Sequence, residues 1–357
     1  MRICLISTTV FALPPTGYSG LEQIVYSLAC EYQKAGHQVS VAAPEGSKLP
    51  EGIELMPVAL GELEETAWAK VHPKFFPEAA TATAETIVPD IIHDHSFGSW
   101  SYMDSIGVDP PLPIVKTHHT DPSIWGSAPP VLHPCLVGLS RSHARSLAQA
   151  YGVNVEYVYN GIDLNMYSPP PAPAEGQEAP RRNGRLLFLG RYTPEKNPLG
   201  AMQLAKRLKI PLDCYGDTRI VQDPAYVDRC RQEADGVIVR MFPGVSREKT
   251  VGLYRTYRAL LHPHQWNEPF SLVLAEAQAC GLPVLTLDLG AAREVVSHEK
   301  TGYVCQDLND IERVLKDGCL ASIKPEDCVA WADKFSVQNM AAGYLKLFER
   351  VKAGHSW

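Results

Sequence analysis

Two carboxylates, Glu268 and Glu276, bracket seven residues, Pro269 to Ala275, of which only Ser271 is polar. Proline suits the first turn of a helix, where a missing N–H costs nothing. Gly281 suits its end, where a positive φ is needed. The stretch therefore predicts a helix from Pro269, buried nearly all round, with one acid just before its start and one inside it. Unpaired N–H groups and the positive dipole end at such a start attract anions. A buried acid is costly unless hydrogen-bonded. The residues fit a phosphate-binding helix start with a carboxylate at each end. They also fit an ordinary core helix with a capping acid and one satisfied Glu, and both readings stay open at this point.

Two further groups of residues can do chemistry. Arg191 and Lys196 lie in a loop after an apolar strand, Arg185 to Gly190. Arg suits a phosphate fork and Lys a point charge; a surface ion pair with Glu195 is the plainer alternative. His93, His95, His118 and His119 follow two apolar segments, Pro89 to Ile92 and Leu112 to Thr117. In open α/β sheets ligands gather outside the carboxyl ends of strands. A metal centre is the other use for four histidines, but no helix carries them at i and i+4 beside an acid. No metal is expected.

The elements that must position these groups repeat one pattern twice. Arg2 to Ser7 reads as a strand covered on both faces. A loop rich in Pro, Thr and Gly follows, with Gly17 and Gly20 ahead of a helix from Leu21 to Lys34. Val39 to Ala43 is the next strand. Strand, crossover helix and strand imply a parallel sheet with a right-handed connection. The loop lacks the G-x-G-x-x-G spacing of a nicotinamide fingerprint. A glycine loop feeding a helix start still lets backbone approach a phosphate or sugar, and plain turn chemistry explains it as well. Glu51 to Thr86 gives no clear pattern; Trp68, Phe75 and Phe76 within it fit a variable acceptor-side segment or core aromatics, and the core is the favoured reading. Leu136 to Ser140, a helix from Arg141 capped by Ser140, and a strand from Val155 to Tyr159 complete the first half. The second half restarts at Arg185, with strands at Leu212 to Gly216, Val237 to Gly244, Ala259 to His262 and Pro283 to Leu287. If the Arg185 strand lies beside the Ala259 strand, both cations reach the rim where the Pro269 helix begins.

The chain has 357 residues, which favours two domains, and its net charge of -7 argues against a general nucleic-acid binder. Nine cysteines without a C-x-x-C pair fit a reducing compartment, so a cytoplasmic protein is expected. No apolar run reaches the ~18–20 residues of a membrane span; peripheral membrane contact stays open. Pro169 to Pro180 reads as a linker by its proline density. The expected division is residues 1–168 for an N-terminal domain and 169–182 for the linker. Residues 183–335 make a C-terminal domain, and 336–357 a last helix able to pack back on the first domain.

In order and spacing these pieces resemble the retaining glycosyltransferases of family four, the "group 1" glycosyltransferases. The matching residues in the second half are Gly190-Arg191, Glu195-Lys196-Asn197, Glu268-Pro269-Phe270-Ser271-Leu272, Glu276-Ala277, Gly281-Leu282-Pro283-Val284, Gly290 with Glu294-Val295-Val296, and Thr301-Gly302-Tyr303-Val304. In the first half they are Tyr18-Ser19-Gly20 with Glu22 and Val25, Gly36-His37-Gln38-Val39, Pro89-Asp90-Ile91-Ile92-His93 and Asn160-Gly161-Ile162-Asp163. Ser19, Ser271 and Ala291 stand where the family more often has Gly.

The resemblance implies an α/β protein of the GT-B class, with two Rossmann-like doubly wound parallel-sheet domains facing across a cleft. It implies transfer of a sugar from a nucleoside-diphosphate sugar, UDP favoured, to an acceptor hydroxyl with retention and without a metal or other cofactor. In the family pattern Arg191 and Lys196 bind the donor diphosphate, and Glu268 meets hydroxyls of the transferred sugar. The amides of Phe270, Ser271 and Leu272 meet sugar and phosphate, and Glu276 accepts from the ribose. His119 lies near the transferred sugar, Gly20 lets its loop approach the phosphates, and Gly244 lies near the base. A sugar-nucleotide epimerase or glycoside phosphorylase, a nucleotide-sugar-binding regulatory protein, and a zinc enzyme on the four histidines are the competing readings. Acceptor identity and oligomeric state are not legible.

Overall fold

Arg2–Ile6 (β1) is apolar after its first residue and buried throughout that run, as a strand covered on both faces requires. It is an interior strand of a seven-stranded parallel sheet. The other strands are β2 (Gln38–Pro44), β3 (Ile53–Val58), β4 (Ile91–Asp94), β5 (Ile114–Thr117), β6 (Leu136–Gly138) and β7 (Glu156–Tyr157). Their order is β3-β2-β1-β4-β5-β6-β7. The computed structural model describes residues 1–17, 19–61, 89–97, 113–122, 135–171, 182–218 and 223–357.

β3 has no counterpart among the sequence expectations. It sits at the sheet edge, pairing only through β2, with Ile53, Met56 and Val58 buried and Glu54 and Pro57 exposed. A short edge strand with an internal Pro gives a weak pattern. Trp68, Phe75, Phe76 and Tyr18 lie outside the described residues.

The second sheet holds β8 (Leu186–Leu189), β9 (Leu212–Gly216), β10 (Val239–Pro243), β11 (Ala259–His262), β12 (Val284–Leu287) and β13 (Gly302–Cys305), all parallel, in the order β10-β9-β8-β11-β12-β13. This is the doubly wound order, with the reversal between β8 and β11. The expected neighbours are therefore neighbours: Ala259 pairs with Leu186 and Leu260 with Leu187.

The chain divides into two compact units. One is built from Met1–Pro15, Ser19–Gly161 and Val337–Trp357, the other on Ile162–Ser336. The crossing at Gly161–Ile162 precedes the proline-rich stretch, so Ile162 to Ser168 belong with the second unit and not with residues 1–161. Residues 172–181 of the expected linker lie outside the described residues. Arg182, at its end, donates to the carbonyls of Tyr254, Tyr257 and Cys280 in the second unit. The helix Val337–Lys352 returns to the first unit. Tyr344 accepts a hydrogen bond from Thr117 at 3.1 Å, Phe348 meets Tyr32 edge-on, and Trp357 donates to the Leu136 carbonyl.

Candidate active site

β8 ends at Leu189 and runs into a short turn, Pro194–Lys196, before the helix Pro198–Leu208. Asn197 joins turn to helix at φ +55, a left-handed conformation that Asn tolerates better than most side chains. Its Oδ1 accepts from the Gly200 amide at 3.1 Å and its Nδ2 donates to the Pro263 carbonyl at 3.0 Å. One residue thus caps the helix and ties the β8 loop to the β11 loop. The Gln265 amide adds a second tie by donating to the Glu195 carbonyl at 2.8 Å.

These ties bring Lys196 against Glu268. The Lys196 ammonium donates to Oε1 at 2.7 Å and to Oε2 at 2.5 Å, and the two residues are only 7% and 8% exposed. The Trp266 indole N–H donates to Oε2 at 2.7 Å, and the ammonium lies 5.1 Å from the Trp266 ring centroid. His262, the last residue of β11, places Nε2 3.8 Å from Oε2. Burial pushes the Glu268 carboxyl up, but the Lys196 charge and the His262 imidazole outweigh it and hold it well below the usual carboxylate range. Burial lowers His262 to about 4, so its ring is neutral at pH 7.

The Glu268 backbone is fixed from behind. Ala291 N–H donates to the Glu268 carbonyl at 3.0 Å. A Cβ on Gly290 would stand 2.3 Å from that carbonyl oxygen, and Gly290 has φ +57. Both facts require glycine there.

The helix after Glu268 starts later than its proline indicates. It spans Leu272–Ala279, with Ser271 as N-cap at φ +65. A residue in the left-handed region cannot continue a right-handed helix backwards, so Pro269 and Phe270 belong to the approaching loop. Glycine would adopt this conformation without the strain a serine carries. Ser271 Oγ lies 3.5 Å from His262 Nε2, and Phe270 is buried edge-on to Phe335. Gly281 ends the helix at φ +70, as expected.

Glu276 is buried in a second polar cluster. Tyr254 donates to its Oε2 at 2.9 Å, and Arg247 stands 3.6 Å from its Oε1. Arg247 also donates to the Tyr167 hydroxyl at 3.3 Å. Burial raises the Glu276 carboxyl, and Arg247, Tyr254 and Tyr167 offset part of that rise. Arg191 pairs with Glu195 at 3.0 Å, the surface ion pair left open by the sequence. Gly244 follows β10, which lies at the far edge of the sheet, three places from β11.

In the first unit, Gly20 precedes the helix Leu21–Lys34 at φ -82, so its backbone conformation alone does not require glycine. Glu22 accepts hydrogen bonds from Thr8 and Ser19, which ties the loop to the end of β1. His119 follows β5, and its Nε2 lies 2.8 Å from Nδ1 of His95, which follows β4. His93 lies with its ring centroid 4.0 Å from that of His95, tilted by 53°, and bonds to Tyr32 at 3.1 Å and Thr117 at 2.9 Å. Burial holds His93, His95 and His119 well below the usual imidazole range. His118 turns away, toward Tyr151 and His143. Among the described residues no group of three His, Cys, Asp or Glu is placed to hold a metal ion.

The sequence reading missed Trp266 and His262, which share Glu268 with Lys196. Their only signal was position, at the end of a predicted strand and two residues before the acid.

The first half matches the family profile "Glycosyltransferase Family 4" over residues 18–166, and the second half matches "Glycosyl transferases group 1" over residues 175–318. Among curated relatives, a D-inositol 3-phosphate glycosyltransferase of Xylanimonas cellulosilytica is 31% identical over 56% of this chain and 46% of its own length. A phosphatidyl-myo-inositol mannosyltransferase of Mycobacterium leprae is 26% identical over 85% of this chain and 83% of its own. Among solved structures, AviGT4, a glycosyltransferase involved in avilamycin A biosynthesis, aligns over 100% of this chain and 99% of its own, with a TM-score of 0.74 and 23% identity. Anabaena Alr3699/HepE in complex with UDP and glucose aligns over 98% and 99%, with a TM-score of 0.70 and 16% identity. With one profile on each half and the fold of these neighbours along its whole length, the chain belongs to the family-four, group 1 glycosyltransferases of GT-B fold.

Proposed function

We propose that the protein is a retaining hexosyltransferase that moves a sugar from a nucleoside-diphosphate donor, UDP favoured, to an acceptor hydroxyl without a metal. The observation that carries this reading is the Lys196–Glu268 pair at the carboxyl ends of β8 and β11, the two strands that flank the chain reversal. Lys196 supplies the charge for a leaving diphosphate, and the start of the helix Leu272–Ala279 supplies amides. Glu268 offers carboxylate oxygens to sugar hydroxyls. Glu276, already held by Tyr254 and Arg247, offers its remaining acceptor capacity to a ribose. Arg191 would exchange Glu195 for a phosphate. The roles of Gly20, His119, Gly244 and the Phe270 and Ser271 amides rest on the family pattern.

In the proposed step the bond from the anomeric carbon to the diphosphate oxygen breaks. The acceptor oxygen attacks from the same face and forms the new bond, and its proton passes to the departing phosphate oxygen. No side chain acts as nucleophile, so positioning and leaving-group stabilisation carry the rate. The free thiols support a reducing, cytoplasmic setting.

The test is a thermal-shift screen against UDP-, GDP- and ADP-sugars, because a ligand of the native state raises its stability. Product analysis by NMR with the best donor follows, with and without EDTA, and with inositol 3-phosphate and phosphatidyl-myo-inositol among the acceptors, because one relative is named for each. An α-configured product from an α-configured donor, formed in EDTA, is expected. Inversion, dependence on phosphate, or conversion of donor without acceptor overturns the reading.

A further inference from the structure

We propose that Trp266 is a positioning residue that holds the Glu268 carboxylate by one oxygen and leaves the other for the transferred sugar. The inference deepens the donor-binding role proposed for Glu268 and rests on it.

Three groups converge on Glu268, and they divide its oxygens unequally. Lys196 bonds to both. The Trp266 N–H, at 2.7 Å, and the His262 ring, at 3.8 Å, both face Oε2. Lys196 can serve a donor diphosphate only by giving up at least part of its grip on Glu268. A buried carboxylate released by its cation would be free to rotate, and its remaining oxygen would not be set. The indole N–H is the group that stays. It is neutral, it cannot follow a phosphate, and it is a donor only. With Oε2 kept by Trp266, Oε1 is the oxygen presented to sugar hydroxyls.

The loop is built to deliver the indole inward. Gln265 and Asn267 on either side are exposed while Trp266 is half-buried. The Gln265 amide is anchored on the Glu195 carbonyl, which fixes the approach of Trp266. The ring face lies within reach of the Lys196 ammonium, so the same side chain also shields the ion pair from water.

The test removes the N–H and keeps the ring. Trp266→Phe is made, together with replacement of Trp266 by 3-benzothienylalanine, which preserves the indole shape with sulfur in place of N–H. UDP-glucose, UDP-N-acetylglucosamine, GDP-mannose and ADP-glucose are titrated by calorimetry, each beside its free nucleoside diphosphate. Loss of a charge-assisted hydrogen bond should weaken the sugar nucleotide by about tenfold. The free diphosphate, which does not use Glu268, should change by less than about twofold. Melting temperatures of the ligand-free variants report on folding, and the benzothienyl variant keeps the test valid if Phe unfolds the loop. Equal loss of both ligands, or loss of neither, overturns the role of Trp266 while leaving the donor reading intact. Absence of binding by the wild-type protein to every sugar nucleotide overturns both.

Discussion

Lowering the pH should destabilise the first unit well above the range in which its carboxylates titrate. Five histidines there, His93, His95, His118, His119 and His143, are held neutral by burial. His118 is lowered to about 3 and His143 to about 4, and the other three lie well below the ordinary 6.5. A group whose folded pKa is depressed in this way takes up its proton on unfolding. Its stabilisation is full above pH 6.5 and falls as the pH drops from 6.5 toward the folded value. At pH 5.5 each such histidine costs on the order of 1 kcal/mol, so together they cost several kcal/mol relative to pH 7.5. That equals a large share of the ~5–15 kcal/mol that holds a domain together. Urea unfolding followed by circular dichroism between pH 7.5 and 5.5 measures the slope, which should correspond to uptake of about four protons or more near pH 5.5. Histidine ring NMR supplies a direct check, since these five resonances should not titrate down to pH 5. A slope of one proton or fewer, or five rings titrating near 6.5, would refute the assignment of buried neutral imidazoles.

The second unit supports further tests. Lys196→Met leaves the buried Glu268 carboxylate without its cation and should cost about 3–5 kcal/mol at pH 7.5, read by calorimetry. The cost should shrink as the pH falls toward 4.5 and the acid protonates, and a pH-independent deficit would contradict it. Lys196→Ala should lower turnover at saturating donor more than roughly tenfold. Ser271→Gly relieves a left-handed serine and should raise the melting temperature by about 2–4 °C. Gly290→Ala drives a methyl into the Glu268 backbone and should destabilise by about 2 kcal/mol or more, with loss of donor binding. Glu276→Gln should weaken the free nucleoside diphosphate by about tenfold in calorimetry, and unaltered affinity would make Glu276 a purely structural acid.

Much of the fold was legible because its strands are short apolar runs between turn residues, and parallel order follows from alternation with helices. The Ser140 cap is such a case: its hydroxyl accepts from the His143 amide where the sequence puts it. What the sequence hid was set by conformation rather than composition. Pro269 looks like a first-turn residue, and only the positive φ of Ser271 moves the helix start to Leu272. Strand adjacency put Lys196 at the rim where the Glu268 loop ends, but its pairing with Glu268 was not read from the sequence, and Trp266 joined it through a loop path that no periodicity reports. β3 escaped because an edge strand interrupted by proline has little pattern to read. Arg191 and Glu276 were legible as charged residues, yet their partners Glu195, Tyr254 and Arg247 are fixed by tertiary packing.

The return of Val337–Lys352 to the first unit sets the order in which the protein can be finished. Tyr344 and Phe348 pack on Thr117, Tyr32 and His93, so the first sheet lacks part of its covering until these residues have left the ribosome. The intervening Ile162–Ser336 takes on the order of ten seconds or more to synthesise at ~5–20 residues per second. During that interval the patch formed by Tyr32, His93 and Thr117 waits uncovered while the second unit can already fold. A nascent chain of this design is therefore a natural client for chaperones, and separate expression of residues 1–161 would yield a fragment with an open flank.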